Sequence, residues 1–170
     1  MRYLAVDLGD KRTGLALGDD HTNIASPLAV LEVSIDDNDG LALLNALAKA
    51  IDHALGPPAR VGLPARGCVL FGLPLNMDGT EGPASTKVRA FAAKVASQTG
   101  HTILFHDERL STAQADWSMA QSGLTRGQKK ARRDALAAAE ILKTFLMRDQ
   151  QPGTQSPAYP ATGSDLDHQP

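Results

Sequence analysis

Three short apolar runs, RYLAVD, TGLALGD and ASPLAVLEV, follow one another within the first 33 residues, joined only by a GDKRTG turn and a polar loop near His21 to Asn23. Links this short return the chain beside itself, so the runs predict three antiparallel strands. The periodicity then changes. DGLALLNALAKAIDHALG puts Leu44, Leu47, Ile51 and Leu55 on one helical face and stops at Gly56 before two prolines. After a loop through GLPARG, CVLFGLP reads as a buried strand, ASTKVRAFAAKVASQTG as a helix carrying Val88, Phe91, Ala92 and Val95, and HTILFHDER as another strand. STAQADWSMAQSG opens with a capping box from Ser111 to Gln114 and predicts a helix ending at Gly123, and a final helix covers 128–148. The order βββαβαβαα predicts an α/β fold in which strands 1 to 3 are antiparallel and the helix-linked strands are parallel.

With 170 residues, 42% of them hydrophobic, the chain supports one core, expected over 1–148. Residues 149–170, rich in Pro, Gln, Ser and Gly and without apolar periodicity, are expected to form a disordered tail. Cys68 has no disulfide partner, no signal-like apolar segment precedes Asp7, and no apolar run approaches the roughly 18 residues of a membrane span. A soluble cytoplasmic protein is the expectation.

Charge is unevenly spread. The formal net charge is -2, yet residues 123–148 hold 7 Lys/Arg against 2 Asp/Glu, whereas residues 1–122 hold 10 against 14. The segment containing Lys129, Lys130, Arg132 and Arg133 is therefore where a polyanion would be welcome, and its bases crowd a helix start, where positive charge is unfavourable. With 4% aromatics, base stacking is not expected to dominate binding.

Two strands end in carboxylates, Asp7 after YLAV and Asp107-Glu108 after TILF. Each alone also fits a turn or a helix cap. In an open α/β sheet, however, chemistry gathers beyond the carboxyl ends of the strands. On the final helix, positions 134, 138, 141 and 145 share a stripe, so Asp134 is expected to face the core with Ala138, Ile141 and Phe145. Three acids flanked by bases suit cleavage of a phosphodiester assisted by Mg²⁺ or Mn²⁺, with two ions expected and the bases holding phosphate. Asn76, in the GLPLNMDGTEG loop, is a further candidate for phosphate contact beside a purely turn-forming role. His106 is expected to be a solvent-exposed strand-end residue. GxSxG, HExxH, GxxxxGK[ST] and GxGxxG are all missing from the sequence.

Together, DLGDKRTGLAL, FGLPLNMDGTEG, DERLSTAQA and KKARRDALAAAEILKTFL, in this order, resemble the YqgF/RuvX family of pre-16S rRNA nucleases and Holliday-junction-resolvase homologues in the RNase H-like superfamily. The resemblance implies an RNase H-like three-layer fold with a mixed five-stranded sheet. It implies Asp7, Glu108 and Asp134 as catalytic, metal-holding acids, and Arg12, Arg109, Lys129 and Lys130 as nucleic-acid contacts. As substrate it implies structured precursor rRNA ahead of branched DNA.

Two other classes remain on these residues. DLGDKRTG is similar to the phosphate loop of the actin and sugar-kinase ATPases, but those close two such domains around a nucleotide, and 170 residues supply one. A non-catalytic RNA-binding module would use the basic segment and leave the carboxylates idle. Monomer and dimer both fit the sequence.

Overall fold

The computed structural model describes residues 1–58, 67–108 and 126–149. Five strands form one sheet: β1 (Arg2–Leu8), β2 (Thr13–Asp19), β3 (Ile24–Leu31), β4 (Gly67–Leu73) and β5 (Ile103–Asp107), in the spatial order β3-β2-β1-β4-β5. β1 pairs antiparallel with β2, and β2 with β3, whereas β1–β4 and β4–β5 are parallel. This is the expected mixed sheet. Short polar links enforce the meander, and helix-bearing connections carry the chain back to start β4 and β5 in the direction of β1.

Among the described residues, three α-helices cover the sheet. α1 (Leu41–Leu55) and α2 (Pro83–Thr99) share one face, and α3 (Arg126–Asp149) lies on the other. α1 buries Leu43, Leu44, Leu47, Ile51 and Leu55, and α2 buries Val88, Phe91, Ala92 and Val95. Pro83 opens α2, where a missing N–H costs nothing, and Gly100 closes it at φ 69°, a conformation a side chain would resist. α3 seats Ala138, Ile141, Leu142 and Phe145 on the sheet, along the stripe read from the sequence. It runs through Asp149, one residue past its expected end at 148.

Alternation along the strands sorts residues between the faces. Leu4, Val6, Val69 and Phe71 turn toward α1 and α2, while Tyr3, Ala5, Ala16, Cys68 and Leu70 turn toward α3. The α3 face mixes Tyr3 and Leu70 with small residues, and Gly18 lies among the latter. A Cβ on Gly18 would stand 2.8 Å from Leu142 Cδ2, so its absence lets the helix settle close to β2. The helix expected over 111–123, the loop 59–66 and the segment 150–170 lie outside the described residues.

Candidate active site

Asp7 ends the inward run of β1 on the α3 face, two positions after Ala5, and is half-buried there. Its partner across the β1–β2 pairing is Gly14. A Cβ built on Gly14 would collide with the backbone carbonyl of Asp134. The bare backbone at Gly14 thus brings Asp134 of α3 down beside Asp7. The effect is visible in Asp7 itself, whose carboxyl is pushed from 3.8 up to about 6, first by burial and then by repulsion from Asp134.

Glu108 reaches the same place from the other side. In register, Gly72 of β4 pairs with His106 of β5, and Glu108 Oε1 lies in the space that a side chain on Gly72 would fill, with Ile141 Cδ1 also within 2.8 Å of that point. Burial first, then Asp7 and Asp107, raises its carboxyl from 4.5 to about 7. Of the two adjacent acids, Glu108 is therefore the one turned over the sheet toward Asp7. The three acids come from β1, the end of β5 and α3, and two glycines make room for them.

These residues suit a divalent metal. All the donors are carboxylate oxygens, the preference of a hard cation, and the raised Asp7 and Glu108 show charge held together at a cost that a cation would relieve. Among the described residues no three His, Cys, Asp or Glu side chains already close into a cage for an ion.

The bases are placed less completely. Arg12 Nη2 pairs with Glu32 at 3.1 Å, its Nη1 is enclosed without a hydrogen-bond partner among the described residues, and its carbonyl accepts the Gly9 N–H at 3.0 Å to close the β1–β2 turn. Lys129 and Lys130 lie on the helical backbone of α3, and their side chains, like all of Arg109, lie outside the described residues. Asn76 uses its amide nitrogen to donate to Thr80 Oγ1 at 2.9 Å, inside its own loop.

His106 departs from expectation. It is buried, not exposed, with its ring edge-on to Phe145 at 5.9 Å and 87°. Burial, then the nearby Arg148, lowers it to about 4 against an opposing pull from Asp107, so at neutral pH it is an uncharged packing residue. Composition and motifs also gave no hint of the strut behind the turn: Lys87 bridges Asp10 at 2.7 Å and Asp36 at 3.1 Å, and the Asp10 carbonyl accepts from Ser34 Oγ and the Ile35 N–H, each at 3.0 Å. The alternation of charge along 10, 36 and 87 has no local pattern from which to read it.

Comparison with known proteins places the chain in a family. The family described as RuvX, Holliday junction resolvase, matches residues 1–148. A protein of Anaeromyxobacter sp. (strain Fw109-5) named as a pre-16S rRNA nuclease is 39% identical over 146 residues, which are 86% of this chain and 96% of that one. A Klebsiella pneumoniae protein of the same name is 36% identical over 143 residues, 84% of this chain and 94% of its own. Among solved structures, the fowlpox virus resolvase crystallised with its substrate Holliday junction DNA has a TM-score of 0.51 at 12% identity, covering 89% of this chain and 100% of that one, a likeness of fold.

Proposed function

From its place in the RuvX family, to which the chain belongs over residues 1–148, we propose that this nuclease hydrolyses phosphodiester bonds in structured precursor rRNA and processes the 5′ end of precursor 16S rRNA. The name carried by the relatives supports the substrate. The observation that carries the chemistry is the approach of Glu108 and Asp134 to Asp7, with Asp7 raised by burial and then Asp134, and Glu108 by burial and then Asp7 and Asp107.

Metal dependence goes with the family, and Mg²⁺ or Mn²⁺, two ions, is the reading proposed for this site. Bound metal would lower the pKa of an attacking water and neutralise the leaving oxygen. Asp7, between the other two acids, would hold it centrally, with Glu108 and Asp134 on either side. Glu108, raised to about 7 by burial, Asp7 and Asp107 without a cation, would be held ionised by the metal and would serve as a ligand carboxylate. Arg12, Arg109, Lys129 and Lys130 would hold the flanking phosphates and so fix the strand without reading its sequence. Asn76 would act through the loop that it braces. Among the described residues no helix is long and apolar enough to cross a membrane, and a cytoplasmic location follows from the rRNA substrate.

The test is cleavage of a 5′-extended 16S rRNA precursor, beside a synthetic four-way DNA junction, with Mg²⁺ or Mn²⁺ and with chelator. Metal-dependent cutting of the RNA is expected, reduced by about 10³-fold or more in Asp7→Asn. Cutting of the junction alone would favour the second reading, a resolvase, which the family description supports. Binding without cutting of either, unchanged in Asp7→Asn, would overturn both and leave an RNA-binding module.

A further inference from the structure

The guanidinium of Arg12 is held on one side and unfilled on the other. Its Nη2 meets Glu32 at 3.1 Å, while its Nη1 is enclosed and has no hydrogen-bond partner among the described residues. A charged N–H shut away from both water and an acceptor is costly, so the free protein does not give this side chain its best surroundings. The pair that does form contributes little. The Glu32 side chain is 63% exposed, and an ion pair open to water to that extent adds little to a fold and is readily exchanged.

Position says what the missing acceptor is. Asp7, Gly14 and Val30 form one row across β1, β2 and β3. Arg12 stands two positions before Gly14, and Glu32 two positions after Val30. Glu32 lines a recess of about 290 Å³ together with Val30 and Ala135, which puts it on the α3 face, where Arg12 reaches it. Ala135 follows Asp134. The recess therefore adjoins the acids, and the acceptors that a nucleic-acid strand brings there are phosphate oxygens, two of which can meet one guanidinium at once.

The backbone beneath Arg12 is tied down. Its carbonyl accepts from the Gly9 N–H, the Asp10 carbonyl accepts from Ser34 Oγ and the Ile35 N–H, and Lys87 joins Asp10 to Asp36. An exchange of partners at Arg12 is thus a movement of side chains alone.

We propose, resting on the nuclease reading above, that Glu32 is a positioning residue that holds Arg12 in the free protein and yields it to a substrate phosphate. A strand that brings no phosphate to this place meets the charge of Glu32 and gains nothing from Arg12. Glu32 thereby sets how much affinity a correctly seated strand has over any other polyanion.

The experiment reads binding of a fluorescein-labelled RNA hairpin with a single-stranded 5′ extension to full-length Asp7→Asn protein, by anisotropy. Adding Glu32→Gln should lower the Kd about three- to fivefold, the scale of one exposed ion pair. Adding Arg12→Gln, which keeps most of the stem that fills the turn, should raise the Kd. With Arg12→Gln in place, Glu32→Gln should change nothing further. The slope of log Kd against log salt should steepen in Glu32→Gln by up to about 0.7, the share of one single-strand phosphate contact. Independently of the Arg12 variant, the Arg12 Nε–H resonance of Asp7→Asn protein should move when RNA is added. Equal tightening with and without Arg12 would overturn the exchange and reduce Glu32 to a repelling surface charge. Weaker binding in Glu32→Gln would also overturn it, because the acid would then be orienting Arg12 toward phosphate. Either result beside a wild type that cuts the RNA would leave the nuclease standing, whereas a wild type that neither binds nor cuts nucleic acid would remove the nuclease reading and the exchange together.

Discussion

The two faces of the sheet are built from opposite materials. Toward α1 and α2 the strands present Leu4, Val6, Leu15, Val69 and Phe71, all fully buried and interleaved with leucines, valines and Phe91 of the helices. Toward α3 they present Tyr3, Cys68 and Leu70 but also Ala5, Ala16, Gly14, Gly18 and Gly72, the three glycines at close approaches of neighbouring backbone or side chain. One face is thick with side chain along its length, and the other thins at Gly14 and Gly72, where the acids lie. Because side chains alternate, each strand serves both purposes at once, and the thick face can hold the sheet rigid while the thin one lets a helix and three acids crowd its end. Stability and chemistry are thus separated by the thickness of one strand, most sharply at Phe71 and Gly72, neighbours that point to opposite sides.

Phe71→Ala tests the thick face. Phe71 is 0% exposed and lies 6.4 Å, ring to ring, from Phe105. Its truncation is expected to remove about 3–5 kcal/mol of folding stability through lost burial and the cavity left behind. The rate per folded molecule, measured well below the melting temperature, should stay within a few-fold of wild type. Denaturant titration beside a cleavage assay checks both. A rate that collapsed while the protein stayed folded would show that the faces are coupled more tightly than their packing suggests.

Gly72→Ala is the reciprocal test. The new methyl would meet Glu108 Oε1 and Ile141 Cδ1, both the far ends of flexible side chains that can turn aside. Stability should therefore change by only about 1 kcal/mol. The displaced carboxylate is another matter, because a shift of about 1 Å in a reacting group costs on the order of 10²-fold in rate. The expected outcome is a folded protein with a melting temperature near wild type and about a hundredfold slower cleavage. Equal rates in the two proteins would mean that Glu108 does not need the place that Gly72 clears.

How far this division was legible follows from where the information sits. The strand pairing was readable because short links and period-two alternation are local, and the sheet-facing stripe of the last helix was readable because Ala138, Ile141 and Phe145 recur within it. Glu108 and Asp107 could not be separated by residues alone, since alternation does not say where a strand ends, and family resemblance chose between them. His106 was misread because the ring that buries it, Phe145, belongs to a helix 39 positions later in the chain. The work of Gly14 and Gly72 is likewise invisible locally. A glycine in a strand signals close approach of something, and only the packed helix and the returning Glu108 say of what.

The smallest expected effect is a pH dependence confined to the thin face. Asp7 rises from 3.8 to about 6 and Glu108 from 4.5 to about 7, so across that span the folded protein holds more protons than the unfolded chain. Folded-state stability then falls as pH rises from about 4 to about 7, the reverse of an ordinary salt-bridged acid. His106 runs the other way, lowered from 6.5 to about 4, but its window closes by 6.5 and it is the same in wild type and Asp7→Asn. Comparing the two proteins isolates the acids. In chelator, Asp7→Asn should match wild type at pH 4 and be more stable at pH 7.5 by about 1–2 kcal/mol after allowance for partial exposure, or about 2–6 °C in melting temperature. Saturating Mg²⁺ should narrow or reverse the gap, because only the wild type keeps Asp7 to hold the ion. A variant less stable than wild type at pH 7.5 without metal would show that Asp7 supports the fold through its charge. The thin face would then owe its shape to that carboxylate, and the separation between the two faces would fail at its central residue.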